Sequence, residues 1–127
     1  MCYLDTNILV YLLEATPTFG QRAAELLTKQ HAAGEKLVSS ALTITEYMAG
    51  AKDSDALGLL LAISTVTYVD IGQDIAVLAS SLQHKHNLKI GDAIHLATCV
   101  QLKCGVFITN DHKLAKVAAK YATVITL

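Results

Sequence analysis

The chain has 127 residues, of which 53% are hydrophobic and 17% charged, with a formal net charge of −1. That composition is long enough and apolar enough for one sizeable core, and it excludes a disordered chain. One arginine, Arg22, among ten basic residues excludes an overall electrostatic grip on duplex nucleic acid, but it leaves room for a nuclease whose own carboxylates lower the net charge.

The longest nearly apolar run, Leu57 to Ile63, falls far below the roughly 18 to 20 residues of a membrane span. No basic stretch followed by a small-residue cleavage site suggests a secretory signal. A soluble, cytoplasmic protein with no membrane contact is expected. Cys2, Cys99 and Cys104 are odd in number and lack a second Cys or His pair at zinc spacing, so buried reduced thiols are expected.

In chain order, Cys2-Tyr3-Leu4 reads as a buried strand that breaks into Asp5-Thr6-Asn7, followed by a helix over Ile8 to Glu14. Thr16 or Thr18 is placed to cap a second helix, Phe19 to His31, which Gly34 ends. Lys36 to Ser39 reads as a strand, and Ser39-Ser40 caps a helix from Ala41 to Ala49 that carries Glu46. A short apolar helix, Ala56 to Ile63, leads into a β-branched strand, Thr65 to Ile71. Asp74 to His86 reads as a helix, and Gly91-Asp92 opens another, Ala93 to Leu102. The strand Val106 to Thr109 breaks into Asn110-Asp111, followed by an amphipathic helix, His112 to Tyr121, and a last strand, Thr123 to Thr126.

Strands alternating with helices imply right-handed crossovers. The expected fold is a three-layer α/β/α sandwich with a mainly parallel sheet of about five strands, formed by residues 1–127 as one domain. Ligands in such sheets bind beyond the strand carboxyl ends, where Asp5 and Asp111 fall.

Each candidate acid has an ordinary explanation. Asp5 caps the helix after it, Glu46 sits on a helix surface, Asp92 is a first-turn acid favoured by the helix dipole, and Asp111 caps the last helix. These readings explain poorly why two apolar strands both deliver Asp together with Thr and Asn. A carboxylate beside a core strand must be paired, hydrogen-bonded or bound to a cation.

Leu4-Asp5-Thr6-Asn7, Thr43 with Glu46, Asp92-Ala93-Ile94-His95-Leu96-Ala97 and Ile108-Thr109-Asn110-Asp111, in this order, resemble the PIN-domain ribonucleases. Within that family the likeness is in particular to the small VapC-like toxins of prokaryotic type II toxin–antitoxin pairs. The resemblance covers essentially the whole chain. It implies a metal-dependent endoribonuclease that cleaves RNA phosphodiesters by metal-activated water, leaving 5′-phosphate and 3′-hydroxyl ends. Asp5, Glu46, Asp92 and Asp111 match the acids that hold one or two Mg²⁺ or Mn²⁺ ions, with Asp111 at the family's most variable position. Thr6 and Thr109 match supporting hydroxyls, and Asn7 and Asn110 would brace the neighbouring loops. The resemblance also implies a homodimer and a cognate antitoxin, with the Ala56–Ile63 segment and the first two helices as partner surfaces or core.

The chemistry agrees independently. Oxygen ligands suit hard divalent cations that keep several waters. Two carboxylates about 4 Å apart repel by roughly 4 kcal/mol at an effective dielectric near 20, so four together call for a cation. His95, one helical turn after Asp92, is either a satisfied interior histidine or a group that orients a carboxylate or touches substrate. His112, Lys113, Lys116 and Lys120 read as a wet helix face that would meet phosphates if RNA binds beside it. A haloacid-dehalogenase-like phosphatase would need Asp where Asn7 stands. A DNA- or flap-type nuclease of the same fold and a non-catalytic PIN-like binding module are the alternatives.

Overall fold

The computed structural model describes residues 1–127. Five strands, β1 (Cys2–Leu4), β2 (Leu37–Ser40), β3 (Val66–Val69), β4 (Val106–Ile108) and β5 (Thr123–Ile125), form one sheet in the order β3-β2-β1-β4-β5. Every neighbouring pair is parallel. Parallel neighbours cannot be joined by tight turns, so helices carry the chain back across the sheet. These are α1 (Thr6–Leu13), α2 (Phe19–Ala32), α3 (Ala41–Gly50), α4 (Ala56–Leu61), α5 (Gln73–His86), α6 (Ile90–Gln101) and α7 (His112–Ala118). The expected α/β/α sandwich is the architecture observed.

Because side chains alternate along a strand, neighbouring residues feed different layers. Cys2 and Leu4 point into a cluster with Ile8, Leu27, Tyr47 and Leu60, on the face of α1 to α4. Tyr3 and Phe107 point the other way, into a cluster with Ile75, Leu82, Leu96 and Leu114 from α5 to α7. β1 and β4 are therefore apolar throughout, as expected of a parallel sheet covered on both faces, while β2 ends in the buried pair Ser39-Ser40.

Several boundaries differ from the sequence reading. Thr18 holds the N-cap position of α2, but at φ 69° and with no side-chain cap bond. The backbone supplies the first acceptors instead, with the Phe19 N–H bonding the Pro17 carbonyl at 2.8 Å and the Gly20 N–H bonding the Thr16 carbonyl at 2.7 Å. This turn packs so closely that a Cβ on Gly20 would stand 2.9 Å from the Tyr11 carbonyl oxygen. α6 starts at Ile90 rather than Ala93, which puts Asp92 inside its first turn. α7 ends at Ala118 rather than Tyr121. The three cysteines are buried and free, and no helix is long and apolar enough to cross a membrane.

The strand order fixes where a site can form. From β1 the chain adds β2 and β3 on one side, then crosses to add β4 and β5 on the other. The crevice at such a reversal, beyond the carboxyl ends of β1 and β4, is where open α/β sheets bind ligands. Asp5 directly follows β1, and Thr109-Asn110-Asp111 directly follow β4.

Candidate active site at the carboxyl edge of the sheet

Asp5 is buried at 5% exposure, where β1 turns into α1. Its Oδ1 accepts the Thr6 N–H at 2.8 Å, the helix cap that local sequence alone demands. Its Oδ2 accepts the Thr109 hydroxyl at 2.7 Å and the Asn7 amide at 3.3 Å. Thr109 Oγ1 also accepts the Asp111 N–H at 3.0 Å. Asn7 Oδ1 accepts the Asn110 N–H at 3.3 Å, and Asn110 Oδ1 accepts the Leu127 N–H at 3.2 Å. The two strand ends are thus laced together across the reversal point, each asparagine tying one loop to the next.

Glu46 reaches the same edge from α3. Its Oε1 accepts the Thr6 hydroxyl at 2.7 Å and faces His95 Nε2 at 2.6 Å. His95 is 1% exposed, and its Nδ1 lies 2.6 Å from the Tyr3 hydroxyl. Tyr3 is itself held flat against Phe107, with ring centroids 5.2 Å apart and planes 16° apart. Thr6 Oγ1 also lies 3.1 Å from Thr43 Oγ1. Thr43 in turn lies 2.7 Å from Ser39 Oγ, which donates to the Leu4 carbonyl at 2.7 Å. No buried side-chain polar atom in this network lacks a partner. Beside Glu46, a Cβ added to Gly91 would stand 3.3 Å from Oε2, so the missing side chain leaves that oxygen its space.

Asp92 is half-buried in the first turn of α6. Asp111 caps α7, its Oδ1 accepting the Lys113 N–H at 3.0 Å and the Leu114 N–H at 3.1 Å. The electrostatics bind these groups into one unit. Burial raises the pKa of Asp5 against the opposing pull of His95 and the Thr109 hydrogen bond. Burial also raises Asp92, and the charges of Asp5 and Asp111 push it further. For His95, burial works against the imidazolium, but the Glu46 hydrogen bond and the charges of Asp5, Glu46 and Asp92 prevail and raise its pKa. The His95 hydrogen bond lowers Glu46.

All four acids therefore come to one edge, together with Thr6, Asn7, Thr109 and Asn110. They are not drawn into a closed shell: no three His, Cys, Asp or Glu side chains are gathered tightly enough to hold a metal ion by themselves. Glu46 and Asp111 spend oxygens on His95 and on α7. An open set of carboxylate oxygens fits a hard cation that keeps most of its waters, and Mg²⁺ is usually held through only one or two carboxylates.

His95, read as an interior histidine or a group that orients a carboxylate or touches substrate, is buried, with Nδ1 facing Tyr3 and Nε2 facing Glu46 and Thr6, which leaves no ring nitrogen for substrate. His112, Lys113 and Lys116 are exposed on α7. Tyr3, Ser39 and Gly91 were not singled out from sequence. A buried tyrosine in a core strand, whose hydroxyl must find a partner, was the available signal for Tyr3.

The PIN domain family model matches residues 2–120. This chain belongs to the PIN-domain family. Its structure is similar to a toxin–antitoxin complex from Klebsiella pneumoniae, with 32% identity and a TM-score of 0.76, covering 99% of this chain and 97% of that one. The fold is shared with VapBC2 from Rickettsia felis bound to a DNA fragment from its promoter, at 19% identity and a TM-score of 0.74 over 99% and 98% of the two chains. It is shared also with FitAcB from Neisseria gonorrhoeae, at 17% identity and a TM-score of 0.72 over 98% and 96%. No curated protein matches the sequence. PIN-domain nucleases are hydrolases of nucleic acids, and the family generally uses divalent metal ions.

Proposed function

We propose that residues 1–127 act as one metal-dependent endoribonuclease domain, the toxin of a toxin–antitoxin pair. The observation that carries this reading is the convergence of Asp5, Glu46, Asp92 and Asp111 at the reversal point of the sheet, with Asp5 and Asp92 raised in pKa by burial and by neighbouring charge. A site that gathers four carboxylates against one histidine suits a cation.

Asp5, Asp92 and the free Oε2 of Glu46 would hold Mg²⁺ or Mn²⁺, with Asp111 contributing directly or through water. When bound, such an ion supplies an activated water and stabilises the charge developing on the phosphate. The chain's own part is positional. Thr109 and Asn7 fix the rotamer of Asp5. Thr6 and His95 fix Glu46, and Tyr3 fixes His95. His112, Lys113 and Lys116 lie on the helix that Asp111 caps and would meet RNA phosphates. No side-chain nucleophile is needed, because none of the serines is placed at this edge with a base.

The toxin assignment is supported by the Klebsiella pneumoniae relative, described as a toxin–antitoxin complex. Leu57, Leu59 and Leu61 on α4 are 43%, 45% and 53% exposed, which suits a surface covered by an antitoxin or by a second copy in a homodimer. A cytoplasmic location follows from this role.

The test is incubation of a mixed RNA pool with Mg²⁺ or Mn²⁺, with and without EDTA, followed by mapping of the product termini. Metal-dependent cuts leaving 5′-phosphates are expected. Intact RNA with both metals would overturn the nuclease reading.

A further inference from the structure

The net charge of −1 conceals a strong segregation. Residues 1–84 carry four Lys or Arg against nine Asp or Glu, whereas residues 85–127 carry six Lys against two Asp. Those two are Asp92 and Asp111, both at the acidic edge, so the remainder of this last third has no negative side chain at all. Lys85, Lys89, Lys113, Lys116 and Lys120 are all exposed.

The contact of His86 with Tyr121 brings the end of α5 against the turn after α7, and so brings the two groups of lysines to one side. Lys89 acts on the charge of Asp92. Lys113, Lys116 and Lys120 stand three and four residues apart, along α7 and the turn that follows it. At the far end His86 Nε2 lies 2.6 Å from the Tyr121 hydroxyl, and the rings meet edge-on at 5.7 Å and 85°. Lys85 and Lys120 are the immediate chain neighbours of His86 and Tyr121, and their charges, after desolvation, lower the His86 pKa. Tyr121 remains 37% exposed although its hydroxyl is pinned. An aromatic ring held by its polar tip, bordered by two ammonium groups, is a rigid stacking surface inside a positive field.

We propose that this surface is the track for a single-stranded RNA: phosphates follow Lys113, Lys116 and Lys120 away from the carboxylates, Lys85 and Lys89 flank the strand, and a base stacks on Tyr121 where His86 fixes it. Sequence-tolerant single-strand binding combines a basic groove with aromatic platforms in this way. At 1.5 Å per residue α7 is about 10 Å long, and Tyr121 lies beyond its end, a few nucleotides from the site of cutting. A strand gripped there leaves the scissile phosphate to the carboxylates, which by themselves would repel RNA. The proposal rests on the nuclease reading for its substrate, but its test does not depend on cleavage.

Binding of a fluorescently labelled single-stranded oligoribonucleotide is measured by anisotropy over a range of salt, in the Asp5→Asn chain so that the strand stays intact. Combined Lys85→Gln, Lys116→Gln and Lys120→Gln should weaken binding at least tenfold and flatten the slope of log affinity against log salt by about 2, at about 0.7 for each phosphate no longer neutralised. Tyr121→Ala should weaken it about 5- to 150-fold with the salt slope kept, since stacking contributes roughly 1–3 kcal/mol per base. Lys29→Gln with Lys36→Gln, on α2 and at the start of β2, should change little. Equal losses in that control, an unchanged slope in the triple variant, or duplex RNA bound as tightly as the single strand would each overturn the track. If wild type binds RNA as described yet never cuts it with metal, the nuclease reading fails and the track stands. If it cuts RNA while the triple variant binds normally, the track alone fails.

Discussion

The two edges of the sheet offer opposite signals. The amino-terminal edge has the larger hollow, a groove of about 600 Å³ lined by Met1, His31, Glu35, Lys36, Ser64 and Thr67. Its one charge contact is the exposed pair of the chain amine with Glu35 at 2.8 Å. The carboxyl edge instead gathers acids of unequal exposure, with Asp5 buried, Asp92 and Asp111 half-buried and Glu46 exposed, and Asp5, Glu46, Asp92 and His95 are shifted in pKa by burial and by one another. On the proposed reading, convergent charge at the strand reversal, rather than concavity, marks the chemistry.

Mutation separates the two edges most sharply. Asp5→Asn or Asp92→Asn should cut RNA cleavage by about a thousandfold, a loss of roughly 4 kcal/mol of charge stabilisation. Glu35→Gln at the other edge should leave the rate within about twofold, and it should cost under about 1 kcal/mol of stability, as exposed pairs do. Equal loss at both edges would contradict the assignment. Next in size is the support behind Glu46. His95→Ala strands the buried Tyr3 hydroxyl and should cost about 1–3 kcal/mol by denaturant unfolding, with a lower cleavage rate. Tyr3→Phe removes only the hydroxyl and should lower cleavage several-fold with less effect on stability. Gly91→Ala should lower cleavage without lowering the melting temperature, because the added methyl crowds Glu46 Oε2 while suiting a helix better than glycine.

Smaller still is the pH dependence without metal. Asp5, Asp92 and His95 all have pKa values raised in the fold, so the folded state binds protons more tightly than the unfolded chain. Stability is then lost as pH rises, for the two aspartates from about 4 upward and for His95 from about 6.5 upward. Glu46, lowered, acts oppositely and loses its contribution as pH falls below about 4.3. In EDTA the melting temperature should therefore be highest near pH 5 and decline by a few degrees towards pH 8. Asp92→Asn should flatten that decline. A melting temperature that rises over this range would refute the charge account.

How much of this was legible varied with locality. Asp5 and Asp111 stood out because each follows an apolar strand directly, and strand alternation also foretold the parallel sandwich. Glu46 and Asp92 read locally as ordinary helix residues; only their match to a known motif pattern singled them out. The link from Tyr3 to His95 spans 92 positions, so no local pattern could signal it. The same holds for the tie from Ser39 to Leu4, formed only when β1 and β2 pair. Thr18 misled because cap chemistry was read from residue type, whereas a positive φ and backbone acceptors decide that turn. The charge segregation was present in the sequence but hidden by the net value, and the fold gives it meaning by joining α5, α7 and Tyr121.

The most direct test of the central claim is a calorimetric titration of Mn²⁺ into wild type and Asp5→Asn at neutral pH. Saturable binding of one or two ions by wild type, lost or severely weakened in Asp5→Asn, is the predicted result. Equal binding by both proteins, or none by wild type, would contradict a cation site at the carboxyl edge.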